Sequence, residues 1–129
     1  MYDLPLTVVL FNNSTLGMVK LEMLVDGLPD FAVDVLDVNY ADIAAAMGFH
    51  SVRVTDPGDI MQAYRDALDN PGPSLVELIT DPNALSIPPK ITTGQVFGFA
   101  TAMSRVVLNR GAGEAVSMAR SNLRNLPRS

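Results

Sequence analysis

The residues best suited to chemistry are a pair of asparagines, Asn12-Asn13, that follow a short apolar run at residues 6–11. The run is rich in β-branched residues and is typical of a strand buried on both faces. Parallel sheets bind ligands at the carboxyl ends of their strands, where the next helix also presents its first backbone N–H groups. Asparagine oxygens are hard neutral donors that suit Mg²⁺, which usually keeps phosphate oxygens as well. The pair could equally turn the chain or cap a helix, and its spacing alone does not decide between these roles.

The elements that must position this pair alternate between strand and helix. Apolar runs predict strands at residues 6–11, 51–55 and 75–79, and helical spacing predicts helices over residues 15–25, 39–48 and 60–68. Asn39 is a good N-cap and Gly48 a good helix end, whereas residues 27–38 indicate a long irregular connection. Strands separated by helices imply a parallel sheet, so we predict an α/β, three-layer, parallel-sheet fragment followed by two C-terminal helices.

The pattern changes after residue 86. Ile87-Pro88-Pro89-Lys90 predicts a stiff extended linker, because each proline fixes its own φ and restricts the residue before it. Two amphipathic helices are predicted beyond the linker. The second covers residues 112–126, with an apolar side formed by Val116, Ala119, Leu123 and Leu126. We therefore predict two parts, residues 1–86 and residues 87–129.

The charge distribution argues against one class of partner and suggests another. The formal net charge is −5, and an acidic body argues against a nucleic-acid binder, which needs a basic face. The C-terminal segment nevertheless carries a row of arginines, namely Arg110, Arg120, Arg124 and Arg128. Residues 110–128 thus combine an apolar side with basic charge, as does a helix lying on an anionic membrane surface. A packing helix with a solvated arginine face has the same pattern.

The stretch Val9-Leu10-Phe11-Asn12-Asn13-Ser14-Thr15-Leu16-Gly17-Met18 resembles the second half of the thiamine-diphosphate signature, which opens with Gly-Asp-Gly and closes with Asn-Asn. It is most similar to the pyruvate oxidases and the quinone-dependent pyruvate dehydrogenases. The resemblance continues through residues 22–23, 39–44, 72–77 and 87–91 and covers nearly the whole chain. The Ile-Pro-Pro-Lys linker with its two trailing helices points to the pyruvate oxidase branch. The resemblance implies that residues 1–86 are the C-terminal half of a domain that binds thiamine diphosphate and Mg²⁺.

The resemblance also implies roles for individual residues. Asn13 matches the position whose side chain binds Mg²⁺, and Thr15 matches the position that gives its backbone carbonyl to the same ion. The residues that would wrap the diphosphate are Asn13, Ser14, Thr15, Leu16, Gly17, Met18 and Val19. Glu22 matches an acidic position that faces the reaction chamber, although acidic residues on helices are usually solvated. Met18 stands where relatives often carry an aromatic residue and could simply fill a core, and His50, the only histidine, is expected to be structural.

The implied activity is oxidative decarboxylation of pyruvate to acetate and CO₂, in which a thiamine carbanion attacks the keto carbon and electrons pass through FAD to a quinone. The resemblance further implies a homotetrameric flavoprotein, peripheral to the inner face of the cell membrane in the cytoplasm. The Gly-Asp-Gly half, the activating glutamate and the FAD domain are not among these 129 residues. We therefore expect preceding sequence to be missing, and this piece to be inactive without the rest of its chain and its neighbouring subunits.

Two other interpretations stay open. One is an acetolactate-synthase-like thiamine enzyme, which shares Asn-Asn but should lack the basic amphipathic end. The other is a non-catalytic, oligomerising α/β module without a ligand. The sequence does not decide whether the electron acceptor is a quinone or oxygen, which oligomer forms, or whether Met1 is a natural start.

Overall fold

The computed structural model describes residues 4–84, 93–110 and 112–123. Their elements in chain order are β1 (Thr7–Asn12), α1 (Gly17–Val25), α2 (Tyr40–Ala46), β2 (His50–Val54), a 3-10 turn (Pro57–Asp59), α3 (Ile60–Asp69), β3 (Ser74–Ile79), α4 (Thr93–Arg110) and α5 (Ala112–Leu123). They form two units. The sheet unit comprises the described residues of Met1–Asn13 and Leu36–Thr80, and the helical unit comprises those of Ser14–Val35 and Asp81–Ser129. The predicted linker at residues 87–90 and the boundary at residue 86 lie outside the described residues.

The sheet is parallel throughout, in the order β1-β3-β2, so the last strand of the chain lies in the middle. Thr7 pairs with Ser74 and Asn12 with Ile79, while Val54 pairs with Leu78. The predicted parallel sheet is confirmed.

The prediction that the first strand is buried on both faces is wrong for this unit. Phe11 is 69% exposed and Val9 is 39% exposed. The reason is that α3 packs on β2 and β3, as the shared core of these three elements shows. The side of β1 that carries Phe11 is therefore left uncovered among the described residues.

Helices lie on both faces of this sheet. Val54, Val76 and Leu78 point to one face, where they pack with Ala63 and Ala67 of α3. Because successive side chains of a strand alternate between faces, their neighbours point the other way, towards α2. There the Ser51 hydroxyl donates to the Ala41 carbonyl at 2.6 Å. The three-layer prediction is thus confirmed within the sheet unit.

Local signals in the sequence fix both ends of α2. The side-chain oxygen of Asn39 accepts a hydrogen bond from the Asp42 N–H at 3.1 Å, which is the predicted N-cap. Gly48 follows the helix with φ of +90°, a conformation that glycine adopts without a steric penalty. Both predictions are confirmed.

The helical unit is built around Leu21, Leu24, Ala102 and Met118, contributed by α1, α4 and α5. The apolar side predicted for the last helix is wrong where it can be compared. Met118 is fully buried, whereas Val116 is 56% exposed and Ala119 is also exposed. The face that packs is set by where α4 lies and not by which face of α5 is more apolar. Leu126, Arg124 and Arg128 lie outside the described residues. Within the part of the chain that the structure describes, no helix is both long and apolar enough to cross a membrane.

Candidate functional site

The asparagine pair lies where the sequence predicts it, at the carboxyl end of the first strand. Asn12 is the last residue of β1 and is 8% exposed. Asn13 follows directly, is half-buried and ends this segment of the sheet unit. The two neighbours therefore stand in different surroundings, since one is enclosed by protein and the other is partly open to solvent.

Asn12 is held by both its side chain and its backbone. Its Nδ2 donates to Glu77 Oε1 at 2.7 Å and to the Val38 carbonyl at 3.4 Å. Its own carbonyl accepts from the Thr80 N–H at 2.9 Å, which extends the ladder between β1 and β3 by one bond. The end of β1 is thus fixed laterally on the middle strand.

Glu77 is the acceptor at the centre of this arrangement and is fully buried. Its second oxygen accepts from the Ala41 N–H at the start of α2, at 3.0 Å. The Nε of Arg53 lies 4.0 Å from Oε1, and Arg53 Nη2 in turn contacts Asp37. The Glu77 carboxylate is therefore compensated by two hydrogen bonds and a nearby guanidinium, as a buried charge requires.

The sequence contains a signal for Glu77, although this residue belongs to no site motif. It is the one charged residue inside the otherwise apolar strand Leu75-Val76-Glu77-Leu78-Ile79. Glutamate is almost never fully buried unless it is paired. A charged residue in an otherwise apolar strand therefore indicates partners on neighbouring elements.

The residues that follow Asn13 begin the helical unit as a segment pinned by backbone and side-chain hydrogen bonds. Ser14 adopts a φ of 50°, in the left-handed region that is unusual for residues other than glycine. Thr15 forms an antiparallel bridge with Asp34, and its buried hydroxyl donates to the Val33 carbonyl at 3.1 Å. The Leu16 N–H donates to the same carbonyl at 2.8 Å. Residues 14–16 are thereby fixed in backbone conformation before α1 begins.

The first turn of α1 contains the remaining predicted diphosphate contacts. The helix begins at Gly17, and its N-cap residue Leu16 has no side-chain oxygen to accept from the first N–H groups. Leu16, Met18 and Val19 are 51%, 63% and 44% exposed. The N–H groups at an accessible helix start are suited to binding a phosphate. Glu22, the predicted catalytic residue, is exposed one turn further on.

A buried residue of α1 that the sequence did not reveal is Lys20, which is 4% exposed. Its ammonium group lies 3.6 Å from the carboxylate of Asp30 and donates to Asn83 Oδ1 at 3.3 Å. Asp30 and Asn83 are ten and 63 residues away in the chain, so no helical periodicity could reveal this pairing. Lys20 therefore joins α1 to two later segments of the helical unit, those that contain Asp30 and Asn83.

The donor chemistry of the predicted metal ligands fits Mg²⁺. An asparagine amide oxygen and a backbone carbonyl are neutral hard donors, which this ion combines with phosphate oxygens and waters. Among the described residues there is no cluster of three or more His, Cys, Asp or Glu that could hold a metal by itself. Asn13 belongs to the sheet unit and Thr15 to the helical unit. The roles of Asn13, of residues 14–19 and of Glu22 therefore stay predictions. His50, which was expected to be structural, lies exposed at the start of β2.

Comparison with known proteins identifies a family. Residues 1–78 match the family described as thiamine pyrophosphate enzyme, C-terminal TPP binding domain. The chain is 33% identical over 120 residues to YdaP of Bacillus subtilis strain 168, which is provisionally named a thiamine pyrophosphate-containing protein; the alignment covers 93% of this chain and 21% of that protein. It is 36% identical over 104 residues to chloroplastic acetolactate synthase of Arabidopsis thaliana, covering 74% of this chain and 15% of that enzyme.

The chain thus spans about a fifth or less of the length of these two relatives. The matches confirm the thiamine-diphosphate part of the resemblance seen in the sequence. They do not single out the pyruvate oxidase branch, because one of the two relatives is an acetolactate synthase.

Proposed function

Because the chain belongs to the thiamine pyrophosphate enzymes, through their C-terminal TPP-binding domain, we propose that it supplies part of the site that holds thiamine diphosphate and Mg²⁺ in an enzyme acting on pyruvate. The observation that carries the proposal is the Asn12-Asn13 pair at the carboxyl end of β1, followed by the pinned segment 14–16 and the start of α1. An amide oxygen and a series of backbone N–H groups are thereby offered over a few consecutive residues.

In this proposal Asn13 gives its side-chain oxygen to Mg²⁺ and Thr15 gives its backbone carbonyl. The backbone of residues 13–19 contacts the diphosphate, with the start of α1 adding its N–H groups. Bound thiamine diphosphate supplies a nucleophilic carbon and an electron sink for decarboxylation of a 2-oxo acid. Glu22 is the residue of this chain that we propose to face the reacting substrate.

Two fates of the decarboxylated substrate follow from two different observations. The linker and the basic C-terminal segment favour oxidation to acetate, with FAD held by other parts of the protein and a quinone as acceptor. The similarity to acetolactate synthase favours transfer to a second 2-oxo acid. We propose the oxidative reaction first and acetolactate formation as the alternative.

The proposed quinone reduction would take place at a membrane surface. Arg120, on α5, is exposed, and Val116, one turn earlier, is 56% exposed. A basic side chain beside an exposed apolar one suits peripheral contact with anionic lipid. We accordingly propose that residues 110–128 contact the inner face of the cell membrane, and the resemblance to the pyruvate oxidases supports proposing a homotetramer.

The experiment uses the protein made from the complete gene, with pyruvate, Mg²⁺ and thiamine diphosphate. We expect CO₂ release that depends on both Mg²⁺ and thiamine diphosphate, with acetate formed only when a quinone is supplied. Acetolactate formed without an acceptor would select the alternative. No CO₂ release under either condition would contradict both.

A further inference from the structure

The burial and the contacts of Glu77 suit a residue that fixes the position of its neighbours rather than one that fills space. It is fully buried in β3, between Val76, which is also fully buried, and Leu78. A carboxylate is costly to bury, and an apolar residue of similar size would fill the same space without that cost. Its two hydrogen bonds, to Asn12 and to the Ala41 N–H, are contacts that an apolar side chain could not make.

One of those hydrogen bonds reaches the end of β1, and the other reaches the start of α2. Oε1 accepts from Asn12 Nδ2 at 2.7 Å, and Oε2 accepts from the Ala41 N–H at 3.0 Å. The backbone of Asn12 is bonded to β3 as well, through the Thr80 N–H at 2.9 Å. One carboxylate therefore ties both β1 and the start of α2 to the middle strand. On β1 the tie is at Asn12, the residue immediately before Asn13.

We propose that Glu77 is a positioning residue for the metal ligand Asn13, acting through Asn12. The proposal rests on the function proposed above. A backbone fixed at residue 12 limits the places that the amide oxygen of residue 13 can occupy, so the ligand is held ready before Mg²⁺ arrives. Groups that orient a metal ligand in this way typically change metal affinity about 10- to 100-fold when they are removed.

The test compares two alanine variants of neighbouring residues in β3. Glu77→Ala removes the carboxylate, and Val76→Ala removes an equally buried side chain that points to the opposite face. Both should lower the unfolding temperature. Mg²⁺ is titrated calorimetrically into the protein made from the complete gene, with thiamine diphosphate present and at a temperature where circular dichroism shows each variant to be folded.

A reciprocal exchange provides the rescue. In Asn12→Asp with Glu77→Gln, the donor and acceptor of the 2.7 Å bond change places, and the amide oxygen of the introduced glutamine can still accept from the Ala41 N–H. Asn12→Asp alone sets two carboxylates against each other. The exchange moves the negative charge from residue 77 to residue 12, next to Asn13. Asn12→Asp alone also places a negative charge at residue 12 and therefore controls for this effect.

We expect Glu77→Ala and Asn12→Asp to weaken Mg²⁺ binding about 10- to 100-fold, Val76→Ala to leave it unchanged, and the exchange to restore it. Equal Mg²⁺ affinity in Glu77→Ala, Val76→Ala and the unaltered protein would overturn the proposal and leave the proposed function intact. Failure of the exchange to restore affinity would also overturn it, and the exchange decides the matter if Glu77→Ala does not fold. Absence of Mg²⁺ and thiamine diphosphate binding in the unaltered protein would overturn the proposed function, and this proposal with it.

Discussion

The contact between α1 and α4 predicts that replacing glycine by alanine lowers the free energy of unfolding at Gly98 and raises it at Gly113. Gly98 lies in α4 against the end of α1, and a Cβ atom built there would stand 1.8 Å from the Val25 carbonyl oxygen and 2.7 Å from its carbon. Both are backbone atoms, which cannot rotate away as a side chain does. Gly98→Ala must therefore push the two helices apart and disturb the nearby hydrogen bond from Arg105 to the Gly27 carbonyl.

The magnitude follows from two opposing effects. Overpacking a core costs about 1–3 kcal/mol, and contact with rigid backbone places this site near the upper value. Replacing a helical glycine by alanine regains about 1 kcal/mol of helix propensity. The expected net loss for Gly98→Ala is about 2 kcal/mol in the free energy of unfolding.

Gly113 in α5 is the matched control, because nothing lies within 4 Å of a Cβ atom built there. Gly113→Ala should gain helix propensity without any steric cost, and should therefore stabilise the protein by up to about 1 kcal/mol. Urea unfolding followed by far-ultraviolet circular dichroism measures both changes from the transition midpoints. A Gly98→Ala variant at least as stable as the unaltered protein would refute the close packing of α1 on α4.

Three further predictions concern other residues. Lys20→Met should destabilise the protein by about 3–5 kcal/mol in urea unfolding, because it leaves the Asp30 carboxylate buried without its cation. The double variant Lys20→Met with Asp30→Leu should recover much of the loss. Equal stability of the single and double variants would contradict the pairing. Asn39→Ala should cost about 1 kcal/mol in the same assay through loss of the cap on α2, and an unchanged midpoint would exclude that cap. Glu22→Gln should slow CO₂ release from pyruvate by a factor of at least about 100 while leaving Mg²⁺ affinity unchanged, and an unaltered rate would remove Glu22 from the catalytic residues.

The sequence was sufficient for features determined by near neighbours. The three strands and the N-cap at Asn39 depend on residues a few positions apart, and the parallel sheet follows from the alternation of strands with helices; all three are present. The asparagine pair was located for the same reason. It follows an apolar run of which the last residue, Phe11, is directly before Asn12.

Features that depend on distant partners were not predictable in this way. The burial of Lys20 depends on Asn83 as well as Asp30, and the packed face of α5 is set by Met118, which meets α4. Helices α1 and α5 of the helical unit are only weakly amphipathic. Their patterns of apolar residues therefore do not predict which face packs. Glu77 was predictable in part, since its position in an apolar strand indicates that it has a partner but not which residue the partner is.

The most direct test of the central claim is calorimetric titration of thiamine diphosphate with Mg²⁺, comparing the unaltered protein made from the complete gene with its Asn13→Ala variant. We predict Mg²⁺-dependent binding to the unaltered protein, weakened at least about tenfold in the variant, which corresponds to a loss of about 1.4 kcal/mol. The 129-residue chain alone should bind neither compound, because in the proposed function it supplies only part of the site. Equal binding by Asn13→Ala, or no binding by the unaltered protein, would contradict a thiamine-diphosphate site at the end of β1.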